Sequence, residues 1–389
     1  MMKRKVSIFV LCFLLITCFV FVVQVLRLNE FEDGFLTDAQ EVQKANEKGI
    51  FGPFLRANLA RSKGVSSQTE KEGKIVFKLF GFLPVKTLPV KMLDDEDYYV
   101  GGAPIGLSIN TDGAIVFDSE NASLAKNVKE GDIIKEIDGK KIEDLTEISD
   151  YLQNTEQDVQ LTLMRKNKLI KMKAKTYEED ERKKLGLWVR NDVAGIGTLS
   201  FVNTKTLKYG ALGHAMVENL GGNTVPVTNG KIYKCELLGI EKGKRNKPGQ
   251  LRCVFTENCA SDGCVESNGK FGIKGVLEKD SALIDKNKTA KLAGRFSVKP
   301  GKAKIVSNVS GISEEYDIEI IKASYQKNAN EKSLVFRVLD KRLIELTGGI
   351  VQGMSGSPIM QDGKIVGVVT HVFTSDATKG YGIYVDWMV

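Results

Sequence analysis

Short apolar runs broken by glycine and proline recur from Gly73 almost to the end of the chain. That spacing predicts strands, because a strand buries alternate side chains and a tight turn needs residues that tolerate unusual backbone angles. "KIVFKLFGFLPVKTLPVKML" reads as leading strands, and "YYVGGAPIGLSINTDGAIVFDS" as two runs joined by a turn at "TDG". Next come the alternating "IIKEI", the turn "DGKK", a helix ending near Leu152, and a strand, "DVQLTLMRKNKLIKMKAKT", bent at "RKNK". The charged "KTYEEDERKKLG" at 175–186 marks a boundary. Beyond it the same alternation runs from "LGLWVRNDVAGIGTLSFVN" to "EEYDIEIIKASYQ" without a long amphipathic helix, which predicts a β-sandwich or barrel. The expected fold class is mainly β.

The first residues break this pattern. "MMKRK" is followed by Val6 to Val23, eighteen residues without a charge, and then Arg27. A positive flank before an apolar stretch of that length predicts a signal anchor at 1–27 that spans a membrane, and no small-residue cleavage site follows it. The residues after it therefore work outside the cytoplasm. Residues 28–87 are expected to be a polar linker, the easiest place for proteolysis, followed by the leading strands.

The order of glycine-rich loop, strands, "GDII", turn and helix over 88–176 resembles a PDZ domain. The resemblance implies a groove that takes an extended peptide as an added strand. It also implies that "GGAPIGL" is the carboxylate-holding loop, with the N–H groups of Ile105, Gly106 and Leu107 as donors. The alternative is a β-rich domain that packs on its neighbour and binds no free peptide.

Charge and cysteine content narrow the classes. The net charge of +7 is spread out, and the densest basic stretch, "EKGKRNK" at 241–247, has no interleaved aromatics, which speaks against a nucleic-acid partner. Outside the apolar N-terminal run there are four cysteines, Cys235, Cys253, Cys259 and Cys264. Their spacing does not match a zinc knuckle, so no metal is expected, and one or two disulfides near a surface loop fit an extracytoplasmic chain.

The chemistry centres on "GMSGSP" at 353–358. Glycines at 353 and 356 permit close backbone approach around Ser355, and the N–H groups of Gly353 and Ser355 can converge as an oxyanion hole. A nucleophilic serine needs a base, and the chain has only two histidines, His214 and His371. His214 lies in the small-residue loop "YGALGHAM". His371 follows the hairpin after the serine, where it lines a substrate pocket or packs. The acid is open among Asp262, Asp280, Asp285, Asp317 and Asp340; Asp340 is preferred because it ends an apolar run next to the segment that delivers Ser355. A nucleophile elbow fails, since position 357 is serine and a strand follows. G-x-S-G-x-P before a hairpin is instead similar to chymotrypsin-like serine proteases, which implies a double β-barrel over 184–389.

"YGALGHAM", "GGIVQGMSGSPIMQDGKIVGVVTHV" and "KGYGIY", behind an apolar N-terminus and a PDZ-like segment, resemble the stage IV sporulation protein B peptidases. That resemblance implies His214, Asp340 and Ser355 as catalytic residues, no cofactor, and self-cleavage in the linker. It also implies location between the two forespore membranes, where a membrane protein that restrains processing of the late sigma factor, sigma-K, is cleaved. The expected partners are thus that protein substrate, the chain's own N-terminal segment and the membrane. The rival reading is an anchored PDZ scaffold with an inactive protease-like domain.

Overall fold

A computed structural model describes residues 2–28, 36–61, 72–93, 95–119, 127–142, 145–155, 158–217, 224–244, 246–255, 260–324 and 330–389. Among them the dominant elements are two closed rings of six strands. The first runs Pro104–Ser119, Val227–Lys234, Gly263–Gly269, Gly272–Leu277, Lys208–Ala211 and Leu187–Asn203, and closes because the last pairs with the first. The second runs Gly301–Ser307, Glu314–Ala323, Leu334–Val338, Asp376–Tyr384, Lys364–Phe373 and Pro358–Gln361. Alternation fills each interior: Tyr316, Ile318 and Ile320 point into the second barrel while Glu315, Asp317 and Glu319 face water. Ile105, Leu107, Leu199, Ile232 and Ile273 do the same for the first. Fully burying one such side chain stabilises by about 1.5–3 kcal/mol.

Two long strands carry the PDZ domain. Pro104–Ser119 and Leu187–Asn203 pair antiparallel from Pro104 opposite Thr198 to Ser119 opposite Leu187. Their lower halves belong to the first barrel. Their upper halves continue through Ala114 and Ile115, paired with Ile134 and Ile133, into the strands of the PDZ region. The PDZ segment is therefore inserted between the first two strands of the barrel. The expected turn at "TDG" is a bend within one strand: Gly113 takes φ 112, and the Thr111 hydroxyl donates to the carbonyls of Gly113 (2.6 Å) and Asn191 (3.1 Å). Local glycine signals alone do not separate a bulge from a hairpin. Conversely "RKNK" is a true hairpin, with Lys166 and Asn167 both at positive φ between the paired strands Val159–Arg165 and Lys168–Ala174.

Helix α3, Leu145–Gln153, turns Ile148 and Leu152 into the PDZ core, where the chain's own Leu185 joins them. A cavity of about 290 Å³ beside α3 is lined by Leu145, Ile148, Leu152 and Leu185 to Val189. The groove flank is thus supplied from within. The residues expected to cradle a peptide carboxylate are elsewhere, and that expectation is corrected. Ile105, Gly106 and Leu107 lie in the wall of the first barrel, opposite Gly197, Ile196 and Gly195 on one side and Lys234, Tyr233 and Ile232 on the other. A strand with partners on both edges has its N–H groups facing those partners, not a ligand. Gly106 is also covered, since a Cβ there would lie 2.2 Å from the Phe255 ring.

The N-terminal third differs from a linker. Helix α1 spans Met2–Leu28 and helix α2 spans Ala39–Glu47, opened by an Asp38 cap. Four strands, Leu36–Thr37, Leu83–Met92, Glu72–Leu79 and Leu55–Arg61, form a sheet with its own core of Val42, Phe51, Ile75 and Phe77. Glu41 of α2 docks this sheet on the second barrel, accepting from Gly294 N–H (2.8 Å) and the Ser297 hydroxyl (2.6 Å). Residues 29–35 and 62–71 of the expected linker lie outside the described residues. Among the described residues no helix is long and apolar enough to cross a membrane, so the anchor at 1–27 stays an inference from sequence.

Candidate active site

The loop 353–358 sits where the two barrels meet. Gly353 and Gly356 take φ 96 and 99, and a Cβ at Gly356 would lie 2.2 Å from the Thr198 carbonyl oxygen and 2.6 Å from Leu212 N. Only glycine lets the loop approach the first barrel so closely. Three donors from the strand Leu187–Asn203 then hold it: Thr198 N–H to the Ser355 carbonyl (3.0 Å), Thr198 Oγ1 to the Gly353 carbonyl (2.7 Å) and Ser200 Oγ to the Gly356 carbonyl (2.7 Å). Within the loop the N–H groups of Met354, Gly356 and Ser357 donate to the Val351, Val369 and Met354 carbonyls. Those of Gly353 and Ser355 meet no backbone acceptor among the described hydrogen bonds, which leaves them free to face an oxyanion.

His214 follows the strand Lys208–Ala211 of the first barrel, past Leu212 and Gly213, both at positive φ. The turn packs on the strand that carries His371, since a Cβ on Gly213 would meet Val368 Cγ2 at 2.7 Å and Thr370 Cγ2 at 3.1 Å. His214 Nδ1 lies 2.9 Å from the Ala215 carbonyl oxygen. Its hydrogen is assigned there because a carbonyl only accepts, which leaves Nε2 as the basic nitrogen.

Ser355 Oγ donates to the Thr370 carbonyl at 2.7 Å, and no hydrogen bond joins it to His214 among the described residues. Thr370 stands at a register shift between Val369 and His371, a bulge that re-aims the side chains around it. Its hydroxyl donates to the Glu331 carbonyl (2.7 Å). The His371 ring faces that of His214, centroids 5.4 Å apart and planes at 37°, with Nε2 at 3.8 Å from Glu331 Oε2. Burial first, then the nearby His214, pushes the His371 pKa below the ordinary imidazole range, against the pull of Glu331. A cavity of about 410 Å³ is lined by His214, Met216, Glu331, His371, Val193 and Gly195, among others.

The structure thus brings Gly353, Ser355, His214 and His371 to one place, and does not bring Asp340 there. Asp340 caps helix α4, Lys341–Thr347, accepting from Arg342 N–H (2.9 Å) and pairing with the Arg342 guanidinium at 3.0 Å. That pairing holds its carboxyl below the usual range. His371 stands opposite Tyr381, which stands opposite Val335, five residues before Asp340. Asp340 itself lies two residues past the end of that strand, Leu334–Val338, where the chain turns into α4. An aspartate ending an apolar run reads the same in sequence whether it opens a helix or faces a histidine, and here it opens a helix. Thr198, Ser200 and Glu331 were not singled out from sequence. The first two carried a signal, two hydroxyls spaced by two inside the apolar run "GTLSF", whereas Glu331 carried none.

Cys235, Cys253 and Cys264 are free thiols, and Cys259 lies outside the described residues. Burial pushes the Cys235 thiol up to about 12, with Cys253 nearby adding to it. Among the described residues no cluster of three His, Cys, Asp or Glu side chains could hold a metal ion.

Two six-stranded barrels with a serine loop and a histidine loop meeting between them, and a PDZ domain spliced into the first, define the double-barrel serine peptidase class. The chain belongs to the SpoIVB peptidase S55 family, whose model matches residues 181–389, over half of its length. The PDZ domain model matches residues 101–176. Among solved structures, the PDZ domain of an SdrC-like protein from Listeria monocytogenes is similar at 23% identity, covering 20% of this chain and 87% of that one, with a TM-score of 0.19. No curated protein matches.

Proposed function

We propose that this protein is an extracytoplasmic serine endopeptidase in which Ser355 is the nucleophile and His214 the general base. The observation that carries the reading is the docking of the serine loop on Thr198 and Ser200, two open N–H groups beside Ser355, against the turn that bears His214. Ser355 Oγ attacks the scissile carbonyl carbon while its proton passes to His214 Nε2. The oxyanion takes the N–H groups of Gly353 and Ser355, and the proton then goes to the leaving amine. Water, deprotonated by the same imidazole, cleaves the acyl-enzyme. In this reading His371 lines the substrate pocket.

The uncharged run Val6 to Val23 lies within the single helix Met2–Leu28, whose described side chains Leu11, Phe13, Leu15, Ile16 and Phe19 are exposed. The anchor itself is proposed from the sequence, where the uncharged run behind a positive flank is long enough to span a bilayer. By family resemblance the enzyme cleaves its own N-terminal segment and a regulatory membrane protein whose loss triggers sigma-K processing, in the space between the forespore membranes. The PDZ domain, built into the barrel with its groove flanked by Leu185 to Val189, fits an internal clamp better than a free peptide receptor.

A second reading, an inactive scaffold, draws on one observation: Ser355 Oγ is bonded to Thr370 rather than His214. The full-length protein and Ser355→Ala, followed by mass over time and by reaction with a fluorophosphonate probe, separate the two. The peptidase reading expects self-cleavage and labelling that fall at least about 10⁴-fold in the variant. Equal, unlabelled, intact chains would establish the scaffold.

A further inference from the structure

We propose that the exposed aromatic tip of the N-terminal sheet, Phe54, Phe80, Phe82 and Leu83, docks on an anionic lipid surface beside helix α1. The proposal goes beyond the peptidase reading and takes from it only the anchor at 1–27. The tip is the end of the sheet where the strand Glu72–Leu79 turns into Leu83–Met92 and where Leu55–Arg61 begins. The Phe80 N–H ties the two together by donating to the Phe54 carbonyl (2.7 Å). Alternation sends Phe51, Ile75 and Phe77 into the core of the sheet, whereas Phe82 is 73% exposed and Phe80 55%. The exposed rings touch one another, with centroids 5.5 Å apart for Phe54 and Phe80 and 6.4 Å for Phe80 and Phe82. Phe80 also makes the turn at φ 53, where asparagine or glycine would cost less. A cluster of exposed aromatics marks a surface that meets protein or membrane.

Charge and the place of α1 select the membrane. Residues 48–61 and 73–91 carry seven basic side chains and no acidic one, which equals the whole net charge of +7. Along the chain these residues are spaced apart, and the sheet gathers them. The bordering Glu47 closes α2, and Glu72 lies at the strand end remote from the tip. Arg56 stands directly opposite Lys78, two residues behind Phe54 and Phe80. Like charges so placed destabilise a sheet, and the phosphates of anionic headgroups would relieve them. At strand rise the pair sits about 7 Å behind the rings, so rings at the acyl boundary put these cations among the headgroups. Leu28, the last residue of α1, is 1% exposed in the core of this sheet, where Val85 also packs. Its carbonyl accepts from Lys86 Nζ at 3.0 Å, three residues along the strand from Leu83. An anchor formed by α1 therefore delivers the tip to the surface it spans. A single helix leaves the body above it free to swing, and a second contact holds the peptidase at the bilayer.

Phe82→Trp in the full-length protein, reconstituted into phosphatidylcholine vesicles with and without phosphatidylglycerol, reads the tip directly. Phe82 is no part of the sheet core, so the fold is kept, and wild-type spectra subtract the native Trp188 and Trp387. With phosphatidylglycerol the introduced indole is expected to emit to the blue of a hydrated one, and phospholipid brominated on its acyl chains quenches it about twofold or more. Without phosphatidylglycerol, or at about 1 M salt, at least about half of that quenching is lost. Adding Arg56→Glu and Lys78→Glu on the same background removes the difference between the two lipids. An introduced indole that stays hydrated and unquenched in protein that floats with the anionic vesicles overturns the proposal and leaves the tip to water or a protein. Equal quenching in both lipids overturns it as well, since charge would then play no part. Protein that floats with neither kind of vesicle would remove the anchor together with the proposal.

Discussion

Thr198 donates twice to the serine loop, through its N–H to Ser355 and its hydroxyl to Gly353, and it is 1% exposed. Valine would fill the same space without the hydroxyl, leaving the Gly353 carbonyl without that donor at a cost of about 1–3 kcal/mol. The peptide planes around Gly353 aim the oxyanion donors, and a misplacement on the order of 1 Å costs about a hundredfold in rate. Thr198→Val is therefore expected to lose ten- to a hundredfold in acylation, with Thr198→Ser recovering most of it. Equal rates for wild type and Thr198→Val would mean that backbone turns alone set the loop. The same scale explains the resting serine. Its Oγ is satisfied by the Thr370 carbonyl, so in this state the serine proton is held away from the base that the peptidase reading requires.

At the scale of elements, the paired strands Pro104–Ser119 and Leu187–Asn203 decide how the domains relate. Because both run through barrel and PDZ region, the PDZ domain is not a bead on a linker. Its groove flank is the chain's own Leu185, 5% exposed, beside Ile148 and Leu152 of α3. Labelled peptides with free carboxyl termini are thus expected not to bind the wild type in fluorescence anisotropy. Leu185→Ala should cost about 2–5 kcal/mol in thermal unfolding and speed hydrogen exchange in α3. Tight peptide binding by the wild type would show that the groove is open after all. Period-two alternation and Asp-Gly turns made most strands readable, as at Asp362-Gly363, both at positive φ before the strand Lys364–Phe373. The insertion was not readable, because "GGAPIGL" carries the same apolar and glycine signals in a barrel wall as in a ligand loop. Asp340 is found as the cap of helix α4, and the sequence could not show this, because a cap and a catalytic acid are the same residue until a fold distinguishes their neighbours.

For the whole molecule, the N-terminal sheet reaches the second barrel through Glu41, which is 3% exposed. Burial raises its pKa from 4.5 to about 7, with Asp386 and Asp38 adding to the rise and the Ser297 and Gly294 hydrogen bonds opposing it. Asp386 is itself neutralised by Arg295 at 2.9 Å, both fully buried. A carboxyl that holds its proton more tightly when folded than when unfolded adds stability at acid pH. That stability is complete below about 4.5 and is lost as pH rises toward 7. The change is at most about 3 kcal/mol across that window. Glu41→Gln keeps an oxygen to accept from Gly294 and Ser297 but cannot ionise. Thermal melts of both proteins from about pH 5 to 8 should therefore diverge, the wild type losing stability relative to the variant as pH rises. Subtraction removes the contribution of every other titrating group. Curves that stay parallel would mean that Glu41 is ionised in the docked sheet at neutral pH, and that the segment joining helix α1 to the peptidase barrels is held by charge rather than by a buried proton.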